Sequence, residues 1–355
     1  MKNIIWSLSL LFLCAITSCN GQKAVSSNTQ QTCEEKDGYW YNNKCWEGFT
    51  DEGIAKKDID SVVVAQMKLL KDASIIVNGK KHEINFFFPE QDEGNIILIT
   101  SFKNMKESIL VIASEDAIEY GKKGSFEAQA IYLKGDIMNQ EGGEPEMIAQ
   151  GTASGTVDED FNVQISGTLK GESEYNFAIK GNEAIMGAGN SKIEIKGNEA
   201  YLSGTLGTIT YHQIKNIIDN HKNVKTIVLT QVDGSINDAV NMHTGRILRE
   251  AGLHTKVLAD SNIASGGVDL FCAGNNRTII KGAKLGVHSW AGENIRADEL
   301  PKDHPAHQYQ IAYFTQMLGA KNGPDFYFYT LTSAPPETVH YMSDKELKDW
   351  KLENK

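Results

Sequence analysis

Two side chains in the C-terminal half have the residue types needed for nucleophilic catalysis. Ser265 precedes two glycines at the start of a short apolar stretch that predicts a helix, and His288 follows the strand-like residues 284–287. A serine at a helix N-terminus lies near backbone N–H groups, where developing negative charge is favoured. The chemistry indicated is acyl transfer, with serine as nucleophile and histidine as general base. The alternative is a serine that only caps its helix, beside an unrelated histidine.

A glycine upstream adds a backbone donor to this pair. Gly234 occupies the turn between a strand of buried character and an amphipathic helix, so its N–H is predicted to be exposed at the turn. The N–H of Gly266, directly after the serine, is a second donor. Two such N–H groups form an oxyanion hole, which stabilises the charge of a tetrahedral intermediate.

The elements that must position these residues alternate between strand and helix. Strand patterns at 224–231 and 254–260 alternate with helical spacing at 208–223 and 236–252. The first of these strands is continuously apolar, which is typical of a strand buried on both faces. Strand–helix–strand spacing predicts parallel β-α-β units. Residues 193–355 are therefore predicted to form an α/β domain.

The preceding part of the chain has a different pattern. Residues 51–192 contain short apolar runs separated by glycine-rich turns, including Asn78-Gly79, a strong two-residue hairpin signal. One helix is predicted at 58–72. We expect a β-rich domain, either antiparallel β or α+β. Because it contains no cluster of histidines, cysteines or carboxylates that suggests chemistry, its predicted role is binding or spacing.

The N-terminus has the features of an export signal. Lys2 is followed by an apolar run too short to span a membrane, and residues 16–19, Ile-Thr-Ser-Cys, resemble the lipobox of bacterial lipoproteins. The resemblance implies that residues 1–18 are a signal peptide and that Cys19 carries a lipid anchor. The expected location is the bacterial cell envelope, facing the periplasm or the exterior.

Residues 19–50 are predicted to be a lipidated tether followed by a small hairpin. Cys33 and Cys45 flank a turn-rich segment, and in an oxidising compartment they are expected to form a disulfide. Cys272 lies in an apolar run and is expected to be buried. The net charge of −11 argues against nucleic acid as a partner.

Three segments resemble the ClpP/crotonase superfamily, most closely the Clp protease proteolytic subunit and its envelope-located bacterial relatives. They read VLTQVDGSINDA, IASGGVDLFCAG and RTIIKGAKLGVHSW and lie within 206–352. The resemblance implies a ClpP-like fold of repeated ββα units. It also implies that Ser265 is the nucleophile and His288 the base. Gly234 and Gly266 match the oxyanion donors. Peptides or other acyl compounds are the implied substrates, no cofactor is expected, and relatives of this fold often form homo-oligomers.

The resemblance is incomplete at two places. The family's oxyanion turn usually reads Ser-Pro-Gly-Gly, whereas here it is Gln-Val-Asp-Gly at 231–234. The family's triad aspartate lies near the C-terminus, and Val339 occupies the matching position. Glu337 is the nearest carboxylate and the predicted orienting acid, with Asp303 and Asp325 as alternatives.

Three other polar residues are predicted to have structural roles. Asp269, one helical turn after the serine, is expected to be a first-turn carboxylate favoured by the helix dipole rather than an acid of the site. His304 and His307 stand three apart, but no third ligand is evident nearby. Both histidines are therefore predicted to be loop or helix-capping residues, and no metal site is predicted.

Two functions remain in competition. The first is a membrane-anchored serine hydrolase, either a peptidase or another acyl hydrolase. The second is a non-catalytic envelope module that keeps the fold and binds a partner, which the imperfect turn and the missing aspartate favour. An α/β-hydrolase is disfavoured because Ile263 replaces the first glycine of Gly-x-Ser-x-Gly. A crotonase acting on coenzyme A thioesters is not expected outside the cytoplasm.

Overall fold

The computed structural model describes residues 54, 57–92, 94–118, 122–137, 144–292 and 295–354, together with the backbone of three short strands nearer the N-terminus. These strands are β1 (Ala24–Val25), β2 (Tyr39–Tyr41) and β3 (Lys44–Trp46), which form an antiparallel sheet in the order β1-β3-β2. Cys19, Cys33 and the side chain of Cys45 lie outside the described residues, so lipidation and the disulfide stay predictions. In the part of the chain that is described, no helix has the length and apolar character to span a membrane.

The chain folds as two units. One consists of Val64–Asn190, and the other combines Ser191–Lys355 with the chain up to Val63. The sequence predicts a boundary after residue 192. Helix α1 (Ile59–Asp72) spans the first division between the units, and it covers most of the stretch that the sequence predicts to be helical.

Besides most of α1, the described residues of Val64–Asn190 form one large antiparallel sheet of nine strands, a 3-10 turn (Glu115–Ala117) and a short helix. The strands are β4 (Ser74–Val77), β5 (Lys80–His82), β6 (Ile84–Asp92), β7 (Asn95–Phe102), β8 (Glu107–Ser114), β9 (Gly124–Lys134), β10 (Glu146–Val157), β11 (Val163–Gly171) and β12 (Glu174–Gly181). Their order is β5-β4-β12-β11-β10-β9-β8-β7-β6, and the helix is α2 (Glu183–Met186). The predicted antiparallel character is confirmed. So is the hairpin, because Asn78 and Gly79 have φ values of 47° and 76° between β4 and β5.

The second unit contains a mixed sheet with a parallel centre. Its strands are β13 (Lys192–Lys196), β14 (Glu199–Ser203), β15 (Thr226–Val232), β16 (His254–Ala264), β17 (Arg277–Ile279), β18 (Lys284–Val287) and, after the hairpin β19 (Ala291–Gly292) and β20 (Ile295–Arg296), β21 (His340–Tyr341). The order is β13-β14-β15-β16-β18-β21, with β17 beside β16. Strands β14, β15, β16 and β18 pair in parallel, so the predicted α/β content is confirmed.

Helices follow the strands of this unit. They are α3 (Thr208–Asn220), α4 (Asp238–Glu250), α5 (Gly266–Cys272), α6 (Gln308–Leu318), α7 (Asn322–Ser333) and α8 (Asp344–Asp349). The core packs apolar side chains of the strands, such as Leu229 and Val257, against those of the helices, such as Phe271. Cys272 at the end of α5 is fully buried, as predicted, and burial raises the pKa of its thiol to about 12.

Strand β16 is longer than the sequence predicts because hydrogen bonds of a buried serine bridge an irregular point, so that the strand continues beyond it. Ser261 Oγ accepts from the N–H of Leu258 at 2.8 Å and donates to the carbonyl of Leu229 at 2.7 Å. The half of β16 before this point pairs with β17, and the half after it pairs with β18. One strand with a register shift therefore contributes to two pairings here, where the resemblance predicts a repeat with two separate strands. The second half ends at Ala264, directly before the predicted nucleophile.

Candidate active site

Ser265 joins β16 to α5 in a strained backbone conformation. Its φ is 50° and its ψ −127°, a region that residues other than glycine rarely occupy. Such a conformation costs roughly 1–3 kcal/mol and persists only where the surrounding structure enforces it, which is most common at functional sites. Here the N–H of Ser265 donates to the carbonyl of Gly286 in β18 at 3.0 Å. The neighbouring strand thus fixes the turn that presents the hydroxyl.

The hydroxyl of Ser265 does not cap helix α5. The side chain makes no capping hydrogen bond and no hydrogen bond to any described residue, and it is half-buried. A capping residue has β-region backbone angles, as Asn237 approximates when its side chain accepts from the N–H of Val240 at 3.1 Å. The positive φ of Ser265 is incompatible with that arrangement. The alternative in which this serine is only a helix cap is therefore wrong.

Gly234 lies against the side chain of Ser265. A Cβ placed on Gly234 would lie 3.3 Å from Cβ of Ser265 and 3.7 Å from its Oγ. The φ of Gly234 is +154°, which L-residues rarely adopt. Leu206 holds the turn, since its N–H donates to the carbonyl of Gly234 and its own carbonyl accepts from the N–H of Ile236, both at 2.9 Å. Glycine at this position therefore lets the turn approach the serine closely.

The two predicted oxyanion donors are unpaired. The N–H groups of Gly234 and Gly266 make no hydrogen bond to any described residue, although both glycines are buried. Buried backbone N–H groups are almost always paired, so two unpaired groups in residues next to one serine require an explanation. Asn241 holds the peptide that follows, because its Nδ2 donates to the carbonyl of Gly266 at 2.9 Å. The arrangement fits a site for a developing negative charge.

His288 lies at the same edge of the sheet as Ser265. Strand β18 pairs in parallel with the end of β16, with Gly286 opposite Ala264. Nδ1 of His288 is 2.7 Å from the carbonyl oxygen of Ser289. A carbonyl only accepts, so Nδ1 carries the proton and Nε2 of the neutral ring is left as a base. Among the described residues, nothing is hydrogen-bonded to Nε2, and that includes Ser265.

The predicted orienting acids do not reach His288 by a hydrogen bond. Glu337 is exposed, and Arg296 binds its carboxylate, with Nη2 3.4 Å from Oε2. The hydrogen bond from this guanidinium holds the pKa of Glu337 below its usual range. Asp303 and Asp325 are exposed and have no hydrogen-bond partner in the described part of the chain. Glu337 thus forms an ion pair with Arg296, and the Ser289 carbonyl accepts the hydrogen bond from Nδ1 of His288 instead.

Two half-buried carboxylates that the sequence does not predict as site acids stand in the first turns of α4 and α5. Asp238 is in the first turn of α4, where it accepts a hydrogen bond from the Ser235 hydroxyl. Burial raises the pKa of Asp238, while the Ser235 hydrogen bond and the nearby His288 act in the opposite direction. Burial and the Asp238 charge raise the pKa of Asp269 well above its usual range. Like charges in a low dielectric are unfavourable, so full ionisation of the pair at neutral pH is opposed.

Asp269 lies in the first turn of its helix, as expected from sequence, but its carboxylate is half-buried. It follows Ser265 by one turn of α5, and its carboxylate makes no hydrogen bond or ion pair with any described residue. Its backbone carbonyl accepts from the hydroxyl of Tyr313 at 2.8 Å. The four-residue spacing was enough to predict that Asp269 lies one helical turn after Ser265. The sequence does not reveal that the charge of Asp238 in α4 also affects the pKa of Asp269.

The two histidines of the DHPAH segment have structural roles. His304 Nδ1 accepts from the N–H of Ala306 at 3.2 Å, which makes it a cap as predicted. His307 is fully buried, with Nδ1 2.7 Å from the hydroxyl of Tyr327, and burial lowers its pKa. Within the described residues, no group of three or more His, Cys, Asp or Glu side chains is arranged to hold a metal ion.

Comparisons with known proteins return structures only. No protein-family model matches the chain, and no curated protein sequence matches it. An enoyl-CoA hydratase from Bacillus anthracis is 14% identical, with a TM-score of 0.32 over 46% of this chain and 68% of that chain. A mutant of the 1510-N membrane-bound stomatin-specific protease is 15% identical, with a TM-score of 0.32 over 45% of this chain and 80% of that chain.

Proposed function

We propose that the protein is a serine hydrolase in which Ser265 is the nucleophile and His288 the general base. Ser265 Oγ attacks the carbonyl carbon of an acyl substrate, and its proton passes to Nε2 of His288. The carbonyl oxygen becomes an oxyanion that the N–H groups of Gly234 and Gly266 stabilise. The bond to the leaving group then breaks, and the leaving group takes the proton from Nε2. Water repeats these steps in reverse order on the acyl-enzyme and releases the acid.

The observation that carries this proposal is the environment of one hydroxyl. Ser265 has a strained backbone, its side chain caps nothing, and two unpaired N–H groups belong to residues next to it, Gly234 and Gly266. Neither the strain nor the orphan donors contribute to stability. A structural serine would be expected to relax into the cap geometry that Asn237 shows in α4.

Labelling with a fluorophosphonate tests the proposal directly. The reagent forms a bond between phosphorus and an activated serine oxygen, and fluoride leaves. We expect stoichiometric labelling of the purified protein at the peptide that contains Ser265, abolished in Ser265→Ala and reduced at least a hundredfold in His288→Ala. Ser154→Ala, which changes an exposed serine of β10, is the matched control and keeps full labelling. Wild-type protein that is folded but unlabelled at high reagent concentration contradicts the proposal.

We extend the proposal to the substrate and the location. The motifs that resemble the Clp protease proteolytic subunit favour peptides, with other acyl compounds as the wider class. The lipobox-like residues 16–19 support an envelope protein anchored through Cys19, and Cys33 and Cys45 are proposed to be disulfide-bonded there. Mass spectrometry of the protein purified from membranes tests both. It should find an acylated N-terminal Cys19, lost in Cys19→Ser, and a peptide containing Cys33 linked to one containing Cys45.

Two observations favour the second candidate function, a non-catalytic envelope module. No hydrogen bond joins Ser265 to His288, and the carboxylate nearest to the family position, Glu337, is bound by Arg296. A site that had lost its chemistry would have these features. The fluorophosphonate experiment decides between the two, because only the hydrolase is labelled at Ser265.

A further inference from the structure

The carbonyl group of Ser289 sets the state of the imidazole next to it. A neutral imidazole carries its proton on one of two nitrogens, and the hydrogen bond that each nitrogen finds decides which one. The carbonyl oxygen lies 2.7 Å from Nδ1 of His288, so the proton stays on Nδ1 and Nε2 keeps its lone pair. In a catalytic triad an acid has this task. Whatever fixes this peptide group therefore determines whether His288 can act as a base.

The residue that carries this carbonyl is held by its own side chain. Ser289 is fully buried, and its hydroxyl bonds to the single 3-10 turn Ala297–Glu299. Oγ accepts from the N–H of Asp298 at 3.1 Å. The hydroxyl proton has two acceptors within reach, the carbonyl of Trp290 at 3.2 Å and Oδ1 of Asp298 at 3.3 Å. One buried hydroxyl thus connects the loop after β18 to this turn, both as donor and as acceptor.

Backbone groups complete the attachment of this loop. The N–H of Ser289 donates to the carbonyl of Ala334 at 2.8 Å, and the carbonyl of Trp290 also accepts from the N–H of Ala297 at 3.1 Å. The indole N–H of Trp290 donates to the hydroxyl of Tyr327 in α7 at 2.9 Å. The N–H before the Ser289 carbonyl and the carbonyl after it are therefore both held, which fixes the direction of the carbonyl between them.

We infer that Ser289 is a positioning residue: with Asp298 as its partner, its hydroxyl holds the carbonyl that keeps His288 in the tautomer of a base. The inference rests on the proposed function, because it assigns a role in the same site. Among the described residues, no carboxylate is hydrogen-bonded to His288, so the tautomer depends on this carbonyl. The side chain of Asp298 contributes as a hydrogen-bond acceptor, and its charge is not required.

The tautomer of His288 can be measured without any activity. The ¹⁵N chemical shifts of an imidazole show which nitrogen carries the proton, in protein with ¹⁵N-labelled histidines at pH 8, where imidazoles are ordinarily neutral. His288→Gln identifies the signals. We expect the wild-type protein to carry the proton on Nδ1. In Ser289→Ala the shifts should move towards those of an imidazole protonated on Nε2, because the carbonyl is no longer held.

The rate of fluorophosphonate labelling at Ser265 is the second measurement. A proton on Nε2 blocks transfer from the Ser265 hydroxyl, so Ser289→Ala should slow labelling roughly 10-fold, in step with the change of tautomer. Ser101→Ala is the matched control, since it removes an equally buried hydroxyl, bonded to that of Ser108 at 2.7 Å in the other unit. It should leave the His288 shifts unchanged and the rate within about twofold of wild type.

Variants of Asp298 separate hydrogen bonding from charge. Asp298→Asn keeps an acceptor oxygen for Ser289 and should label within about twofold of wild type. Asp298→Ala removes the acceptor and should slow labelling roughly fivefold. Glu299→Ala is the control and should keep the wild-type rate, because Glu299 pairs with Arg296 as Asp298 does but has no hydrogen bond to Ser289. Thermal unfolding shows whether each variant is folded.

The outcomes keep this inference apart from the proposed function. The positioning role is refuted if the wild type has its proton on Nε2, or if folded Ser289→Ala keeps it on Nδ1. It is also refuted if Asp298→Asn or Glu299→Ala slows labelling as much as Asp298→Ala does. Should Ser289→Ala not fold, unchanged His288 shifts in Asp298→Ala overturn the inference. If the shifts behave as expected but wild-type protein is not labelled, the hydrolase fails while the control of the tautomer by Ser289 stands.

Discussion

A methyl group at Gly234 tests how closely the oxyanion turn must approach the serine. Gly234→Ala keeps the N–H but places Cβ 3.3 Å from Cβ of Ser265, so one of the two must move by a few tenths of an ångström. The φ of +154° adds backbone strain for a residue with a side chain. Together these effects should destabilise the protein by about 2 kcal/mol. Because nucleophile and donor are displaced relative to each other, labelling should slow roughly 10- to 100-fold.

The assay pairs urea unfolding with the rate of fluorophosphonate labelling, and the chain offers a matched control. Gly197 also has a positive φ, +63°, but a Cβ there would meet no atom within 4 Å. Gly197→Ala should therefore destabilise the protein by about 1 kcal/mol through strain alone. Its labelling rate should stay within about twofold of wild type, because Gly197 lies in the turn between β13 and β14, far along the chain from the site elements.

Two results would refute the reasoning about Gly234. Folded Gly234→Ala protein that labels at the wild-type rate would mean that the close approach of the turn has no part in the reaction. A loss of labelling in Gly197→Ala as large as that in Gly234→Ala would mean that general destabilisation, not the geometry at Ser265, controls the rate.

Three further predictions follow from the structure. Val339 lies opposite His288 when the pairing of Val287 with His340 is continued by one residue, so Val339→Asp should raise the labelling rate several-fold, and an unchanged rate would contradict this. Asp269→Asn should stabilise the protein by about 1 kcal/mol at pH 8, with no gain below about pH 4. The sign follows because a folded pKa above the unfolded value favours folding at low pH, and that contribution is lost as pH rises; urea unfolding at both pH values measures it. Hydrogen bonds from Ser343, and then from Tyr329 and His340, lower the pKa of Glu346 to about 2, so Glu346→Gln should destabilise at pH 7 by about 1 kcal/mol, a difference that fades as pH falls from about 4.5 towards 2.

Much of the fold could be predicted because local patterns are strong in both units. The Asn78-Gly79 turn and the alternation in β9, which buries Phe126, Ala128 and Ala130, mark antiparallel strands without tertiary information. The apolar β15 marks a strand covered on both faces. The register shift of β16 was not predictable, since Ser261 resembles any loop serine until the backbone groups that its hydroxyl contacts are known.

The same distinction between local sequence signals and tertiary contacts applies to the candidate site. Ser265 and Gly234 could be proposed from sequence because the motifs of a candidate nucleophile and a candidate oxyanion turn are short and local. Whether Ser265 is a cap depends on its backbone angles, which the strand β18 imposes through Gly286. Asp238 was missed because an acidic residue in the first turn of a helix is usually explained by the helix dipole. Nothing in the sequence says that Arg296 binds Glu337.

The buried position of Cys272 gives the site an internal reporter. Its thiol ends the short helix whose first turn follows Ser265, and a thiol with a pKa of about 12 and no solvent exposure does not react while that helix is in place. Cys272 can then react with a disulfide reagent only when the helix opens, so the rate of the reaction reports how often the helix opens. A ligand bound at the opposite end of the helix would lower the rate of Cys272 modification. Occupancy of the site by a ligand therefore becomes measurable without any knowledge of the reaction.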